Sequence, residues 1–191
     1  MTKKFLDKKL DKLIRWLRFQ QVVSRIPKES IVCDIGCGQD CLFLTNIENR
    51  LIKGIGIDQK VDNAIEQRNK KIRVHQADVQ SHLPIETASV DAVSMMALLE
   101  HLEKPKEALE EIYRILKPGG RLILTTPAPI AKPLLEFMAF KLKIIDREAI
   151  EDHKQYFSVT TLKSVLRQVG FEKIKIKHFE LGLNLLAVVV K

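Results

Sequence analysis

Ser30-Ile31-Val32-Cys33-Asp34-Ile35-Gly36-Cys37-Gly38-Gln39-Asp40 is the stretch on which the fold turns. An apolar run of strand length breaks into a glycine-bearing turn and resumes as Cys41-Leu42-Phe43-Leu44, in the order strand, tight loop, helix. Glycines let a backbone approach a ligand, and the unpaired N–H groups of a helix start face the same spot. The junction reads as a ligand seat. A second apolar run, Leu51 to Ile57, ends in Asp58, about 20 positions further on, where a carboxylate for a ribose hydroxyl belongs.

Outward from this junction, strands and helices alternate. Strands are expected at 72–75, 90–95 and 121–126. Helical stretches are expected at 41–47 and 62–70, and again from Pro105 until Pro118-Gly119-Gly120 stops the pattern. A parallel, doubly wound α/β sheet requires such alternation, and that is the fold class expected. Ser158 is a good N-cap for a helix over 159–169, with Gly170 as its C-terminal glycine. Two further strands, 172–179 and 185–190, join through Gly182 and Asn184. The long connection 127–157 carries three prolines and an apolar patch, which predicts a helix near 133–143 inside a substrate-covering insert or a packed surface helix.

Asp34-Ile35-Gly36-Cys37-Gly38 followed by Gly54-Ile55-Gly56-Ile57-Asp58 resembles the cofactor site of class I S-adenosylmethionine-dependent methyltransferases, of the quinone-biosynthesis-like type. Gln76-Ala77-Asp78-Val79, Ser89 to Val93 with Leu99-Glu100-His101-Leu102, and Leu116 to Leu122 resemble three further motifs of that family, in family order. The resemblance implies a Rossmann-like seven-stranded sheet of order 3-2-1-4-5-7-6 with the seventh strand antiparallel. It implies S-adenosyl-L-methionine as cofactor and S-adenosyl-L-homocysteine as product. Gly36, Cys37 and Gly38 would pass the methionine portion, Asp34 would order the loop and the amino group, and Asp58 with Gln59 would take the ribose. Asp78 and Val79 would border the adenine, and Met96 and Ala97 would back the thioether. Asp40 stands where the family often has a third glycine, and it would repel the cofactor carboxylate unless it turns outward or meets the ammonium.

Methyl transfer is an in-line displacement, so positioning in a dry pocket dominates and no catalytic triad is needed. His101, above the ligand-binding edge of the sheet, and His153, in a His-aromatic-Ser setting, are the candidate catalytic acid–base groups; each could equally tie a loop. Cys33, Cys37 and Cys41 lie four apart, but strand, turn and helix positions should make their side chains diverge. No metal is expected.

At 191 residues one core suffices, divided into a basic N-terminal helix (1–28), a cofactor core (30–126), the insert (127–157) and a C-terminal helix with a strand pair (158–191). The net charge of +8 gathers in residues 1–28, where nine lysines and arginines face two aspartates. A nucleic-acid footprint would recur across the fold, so nucleic acid is not the expected partner. Residues 5–26 form a basic amphipathic helix that either docks as a lid or touches a membrane surface or anionic substrate. Unpaired cysteines and a charged N-terminus point to the cytoplasm, peripheral to the membrane if that helix docks there. The expectation is a methyltransferase acting on a small-molecule or lipid-linked acceptor. The alternatives are a non-catalytic module binding the cofactor or its product, and a nucleic-acid-binding protein using the basic helix.

Overall fold

The computed structural model describes residues 3–142 and 147–191, with side chains described from residue 13 onward except at 149. Seven strands form one sheet: β1 Ser30–Ile35, β2 Leu51–Asp58, β3 Ile72–Gln76, β4 Val90–Met96, β5 Leu116–Pro127, β6 Glu172–Phe179 and β7 Asn184–Val190. Their order is β3-β2-β1-β4-β5-β7-β6. Strands β1 to β5 run parallel to one another, and β7 runs antiparallel to both β5 and β6. The expected Rossmann-like architecture is therefore present.

Helices cover both faces, as buried parallel strands require. On one face α4 (Pro105–Ile115) and α7 (Val159–Val169) seal a core through Leu109, Ile112, Leu162 and Leu166 against Val93, Leu122 and Leu124. On the other, α2 (Leu42–Ile47), α3 (Ala64–Arg68) and the end of α1 (Lys3–Val23) bury Phe43, Leu44, Ile65 and Val22, with Ile26 just beyond α1, against Val32, Ala92 and Ile123. The period-two alternation of β4 and β5 sends neighbouring side chains to opposite cores.

Several boundaries differ: α1 ends at Val23 rather than 26, and α3 spans only Ala64–Arg68 of the expected 62–70. β5 begins at Leu116 rather than 121, because Leu116 pairs with Val90 before the Pro118-Gly119-Gly120 segment interrupts the register. The helix expected near 133–143 is α5 (Lys132–Glu136) continuing as a π-helical turn over Phe137–Leu142; residue 143 lies outside the described residues. A short α6 (Arg147–Glu151) precedes an extended segment leading to Ser158. Ser158 caps α7 in a reciprocal box with Thr161, and Gly170 closes it at φ 108°.

The amphipathic N-terminal helix meets the fold at one end. Val22 and Ile26 are buried and Phe19 packs edge-on against Phe43, while Leu13, Trp16 and Leu17 are exposed at 50, 55 and 38%. Leu6 and Leu10 lie outside the described side chains. No described helix is long and apolar enough to cross a membrane.

Candidate functional site

The carboxyl edge of the sheet carries two cavities. The first, of about 350 Å³, is lined by Asp34, Gly36, Cys37, Gly38, Asp40 and Met96, with Arg15, Arg18 and Phe19 of α1 across from them. Its floor is the turn after β1. Gly36 and Cys37 donate their N–H groups to the Ile57 carbonyl at 2.8 and 3.1 Å, which ties the turn to β2. Gly36 sits at φ 75°, and a Cβ there would lie 2.9 Å from Leu98, so only glycine fits this crossing of backbone and side chain.

Asp58 organises the loop from below. One carboxylate oxygen accepts from Gly38 N–H at 2.9 Å and the other from Lys60 N–H at 3.0 Å. Each oxygen keeps a lone pair for a ligand hydroxyl. Asp34 is 1% exposed yet lines the cavity, and it accepts a hydrogen bond from the Ser94 hydroxyl at 2.7 Å. Burial pushes its pKa up to about 7; the Ser94 bond opposes the rise and the Asp58 charge adds to it. A buried carboxyl poised at neutrality is what a ligand ammonium would ionise, so the donor set fits a sulfonium amino acid.

Not every expected residue joins this cavity. Gln59 and Asp78 are exposed, and Asp78 accepts from Gln80 N–H at 2.9 Å in a turn of its own. Val79 is buried in the core, and Ala97, at φ 49°, donates to the Thr125 carbonyl at 2.9 Å. Asp40 is exposed at the rim, in the same lining as Arg15 and Arg18. Those two arginines and Phe19 escaped the sequence reading; their signal was the cationic spacing of three along an amphipathic helix. The cysteine expectation requires correction. Cys33 belongs to one core, but Cys37 and Cys41 converge on the other, and a Cβ on Gly56 would lie 2.9 and 2.7 Å from their sulfurs. Cys41 has a left-handed backbone, φ 46°, and its thiol is fully buried beside Gly56.

The second cavity, of about 460 Å³, is lined by Lys132, Glu136, Phe140, His153, Gln155 and Tyr156 among others. His153 and His101 are brought together, with ring centroids 4.7 Å apart and planes crossing at 73°. His101 Nδ1 lies 3.1 Å from Asp152 Oδ2, and His153 Nδ1 lies 2.9 Å from the Tyr156 hydroxyl. Burial first, then the neighbouring His101, brings the His153 pKa down to about 4, well below the ordinary value expected for it. Glu100 is buried, accepts from the Thr126 hydroxyl at 3.0 Å, and its carbonyl receives the Lys154 and Gln155 N–H groups. The segment 152–156 is thereby pinned over the loop after β4.

Comparison with known proteins identifies the family. The model of the methyltransferase domain family matches residues 4–176. A demethylmenaquinone methyltransferase of Lactobacillus johnsonii is 31% identical over 160 residues, which is 72% of this chain and 64% of that protein's length. A ubiquinone/menaquinone biosynthesis C-methyltransferase of Desulfotalea psychrophila is 27% identical over 188 residues, covering 88% of this chain and 76% of that protein. Among solved structures, a putative methyltransferase in complex with the Trm112 methyltransferase activator of Haloferax volcanii superposes with a TM-score of 0.73 at 21% identity, over 96% of this chain and 92% of that one. A possible histamine N-methyltransferase of Thermotoga maritima gives 0.67 at 19% identity, over 97% of each chain. At these identities the two structures show a shared fold. The chain belongs to the methyltransferase domain family, in its class I S-adenosylmethionine-dependent group, with S-adenosylmethionine as cofactor and S-adenosylhomocysteine as product.

Proposed function

We propose that this chain methylates a small-molecule or lipid-linked acceptor of the quinol type, seated in the cavity beside His153 and Tyr156. The observation that carries the reading is the common edge: Met96, at the end of β4, lines the first cavity, and the loop that follows holds the wall of the second through Glu100. The relatives named for quinone methylation support the acceptor class. The sulfonium supplies an electrophilic methyl group, so the protein's task is alignment and exclusion of water.

In this reading Asp34 faces the cofactor ammonium, and Arg15 and Arg18 face its carboxylate and offset Asp40. Gly36, Cys37 and Gly38 pass the methionine portion, Asp58 with Gln59 takes the ribose, Asp78 and Val79 border the adenine, and Met96 and Ala97 back the sulfur. Asp78 would need to turn from its own Gln80 contact. His101 and His153 hold the acceptor's hydroxyl at the mouth of the second cavity. The π turn at 137–142 supports a substrate-facing role for the insert, since such turns are frequent at functional sites. Exposed Leu13, Trp16 and Leu17 beside Arg15 support contact of α1 with an anionic lipid surface on the cytoplasmic side, where a lipid-linked quinol resides.

Calorimetry with S-adenosylmethionine, S-adenosylhomocysteine and NAD, followed by a product assay with short-chain and long-chain quinols, tests the proposal. Binding of the first two but not NAD, with methylated quinol formed, is expected. Cofactor binding without any methylated quinol would remove the acceptor class.

A further inference from the structure

The loop after β4 and the segment before α7 bring together three groups with the chemistry of metal ligands. Glu100, His101 and His153 each offer one donor atom, and these atoms lie within 4.8 Å of one another. Donors held about 2.0–2.2 Å from a single ion sit roughly 3–4 Å apart, so small side-chain rotations close the set.

Their outer partners give a second, independent indication. His101 presents Nδ1 to the Asp152 carboxylate and His153 presents Nδ1 to the Tyr156 hydroxyl, which leaves Nε2 of each ring for an ion. Ligating histidines are held in this way, the second nitrogen donating to a carboxylate or oxygen that fixes ring orientation and tautomer. Glu100 uses Oε2 with the Thr126 hydroxyl, and its own backbone N–H also bonds the carboxylate. It is 1% exposed, and the cationic groups that act on it are His101 and Arg18. A buried carboxylate of this kind is costly unless it is paired or coordinates a metal.

We propose that Glu100, His101 and His153 form a two-histidine, one-carboxylate site for a divalent first-row transition ion of the zinc type, opening on the acceptor cavity. Two imidazoles and one carboxylate suit zinc or its neighbours better than magnesium or calcium, which prefer all-oxygen shells. Three protein donors leave a position open. Resting on the methyltransferase reading for the acceptor alone, the ion binds the acceptor's hydroxyl oxygen as its anion, and the released proton passes to water. The acceptor class narrows to compounds with a phenolic or enolic hydroxyl. The sequence reading expected no metal because it weighed the cysteines, whereas these three donors meet only when residues 152–156 fold onto the β4 loop.

The test is calorimetric titration of the chelator-treated full chain with zinc chloride, alongside a S-adenosylhomocysteine titration of the same samples. Wild type should take one zinc per chain. His153→Ala and Glu100→Gln should each weaken it at least tenfold, and Asp152→Asn, which touches no ion, by about tenfold. His153→Gln serves as a second variant should the alanine substitution lose its thermal transition. Absence of zinc binding, or equal binding by wild type and every folded variant, overturns the site, whatever the S-adenosylhomocysteine titration gives. A silent S-adenosylhomocysteine titration with intact zinc binding would instead strike the cofactor reading and leave the metal site standing.

Discussion

Asp34→Asn should make the free protein more stable and the working protein worse. In the unfolded chain this carboxyl ionises near 3.8, while in the fold burial holds it at about 7. Between those values the folded state binds the extra proton, so stability falls as pH rises, and the whole loss is present above about 7. At 1.36 kcal/mol per pH unit the displacement amounts to about 4 kcal/mol. Asparagine keeps an oxygen for the Ser94 hydroxyl and has no proton to lose. Urea unfolding of the free protein should therefore find the variant more stable by roughly 2–4 kcal/mol at pH 8, the gain shrinking to under about 2 kcal/mol at pH 5. Affinity should run the other way. Wild-type binding of S-adenosylhomocysteine should weaken about tenfold from pH 8 to pH 6 as the carboxyl takes up its proton. The variant should bind roughly ten- to a hundredfold more weakly at pH 8, with that pH dependence gone. A stability difference that stays constant between pH 5 and pH 8, or a variant less stable at pH 8, would refute the reasoning.

Asp58→Ala removes the acceptor for both Gly38 and Lys60 N–H groups, and calorimetry should register a loss of S-adenosylhomocysteine affinity of about tenfold or more. Gly56→Ala drives a methyl group between the Cys37 and Cys41 sulfurs, and denaturant unfolding should show a cost of about 1–3 kcal/mol. Ser158→Ala breaks the reciprocal cap of α7; a loss of about 0.5–2 kcal/mol should appear as a lowered thermal midpoint with cofactor affinity unchanged.

How far the sequence carried depends on how local each signal is. The turn after β1, the acidic end of β2 and the Ser158 cap are written in a few consecutive residues, and each stands where its turn or cap chemistry requires. The antiparallel seventh strand came with the family resemblance rather than from periodicity. Arg15 and Arg18 carry a cationic signal in the sequence, but nothing within an amphipathic helix says which surface its middle will cover. His101 and His153 were each legible as candidates, but their meeting was not. Fifty-odd residues separate them, and long-range bonds bring them into contact: Lys154 and Gln155 N–H to the Glu100 carbonyl, the Gln155 side chain to the Leu102 carbonyl, and His101 to Asp152. The cysteines failed for a related reason: strand and helix periodicities say nothing of a left-handed residue such as Cys41.

The position of β7 between β5 and β6 bears on biosynthesis. Of the seven strands it leaves the ribosome last, yet it supplies the antiparallel partner for β5 from Arg121 to Pro127 and brings buried Leu185, Leu186, Ala187 and Val189. Until it emerges, β5 presents a free row of amide and carbonyl groups and an uncovered apolar flank, the template on which nascent chains stick to one another. Truncations ending within α7 or β6 should accumulate as inclusion bodies even though every strand of the cofactor half has already been translated.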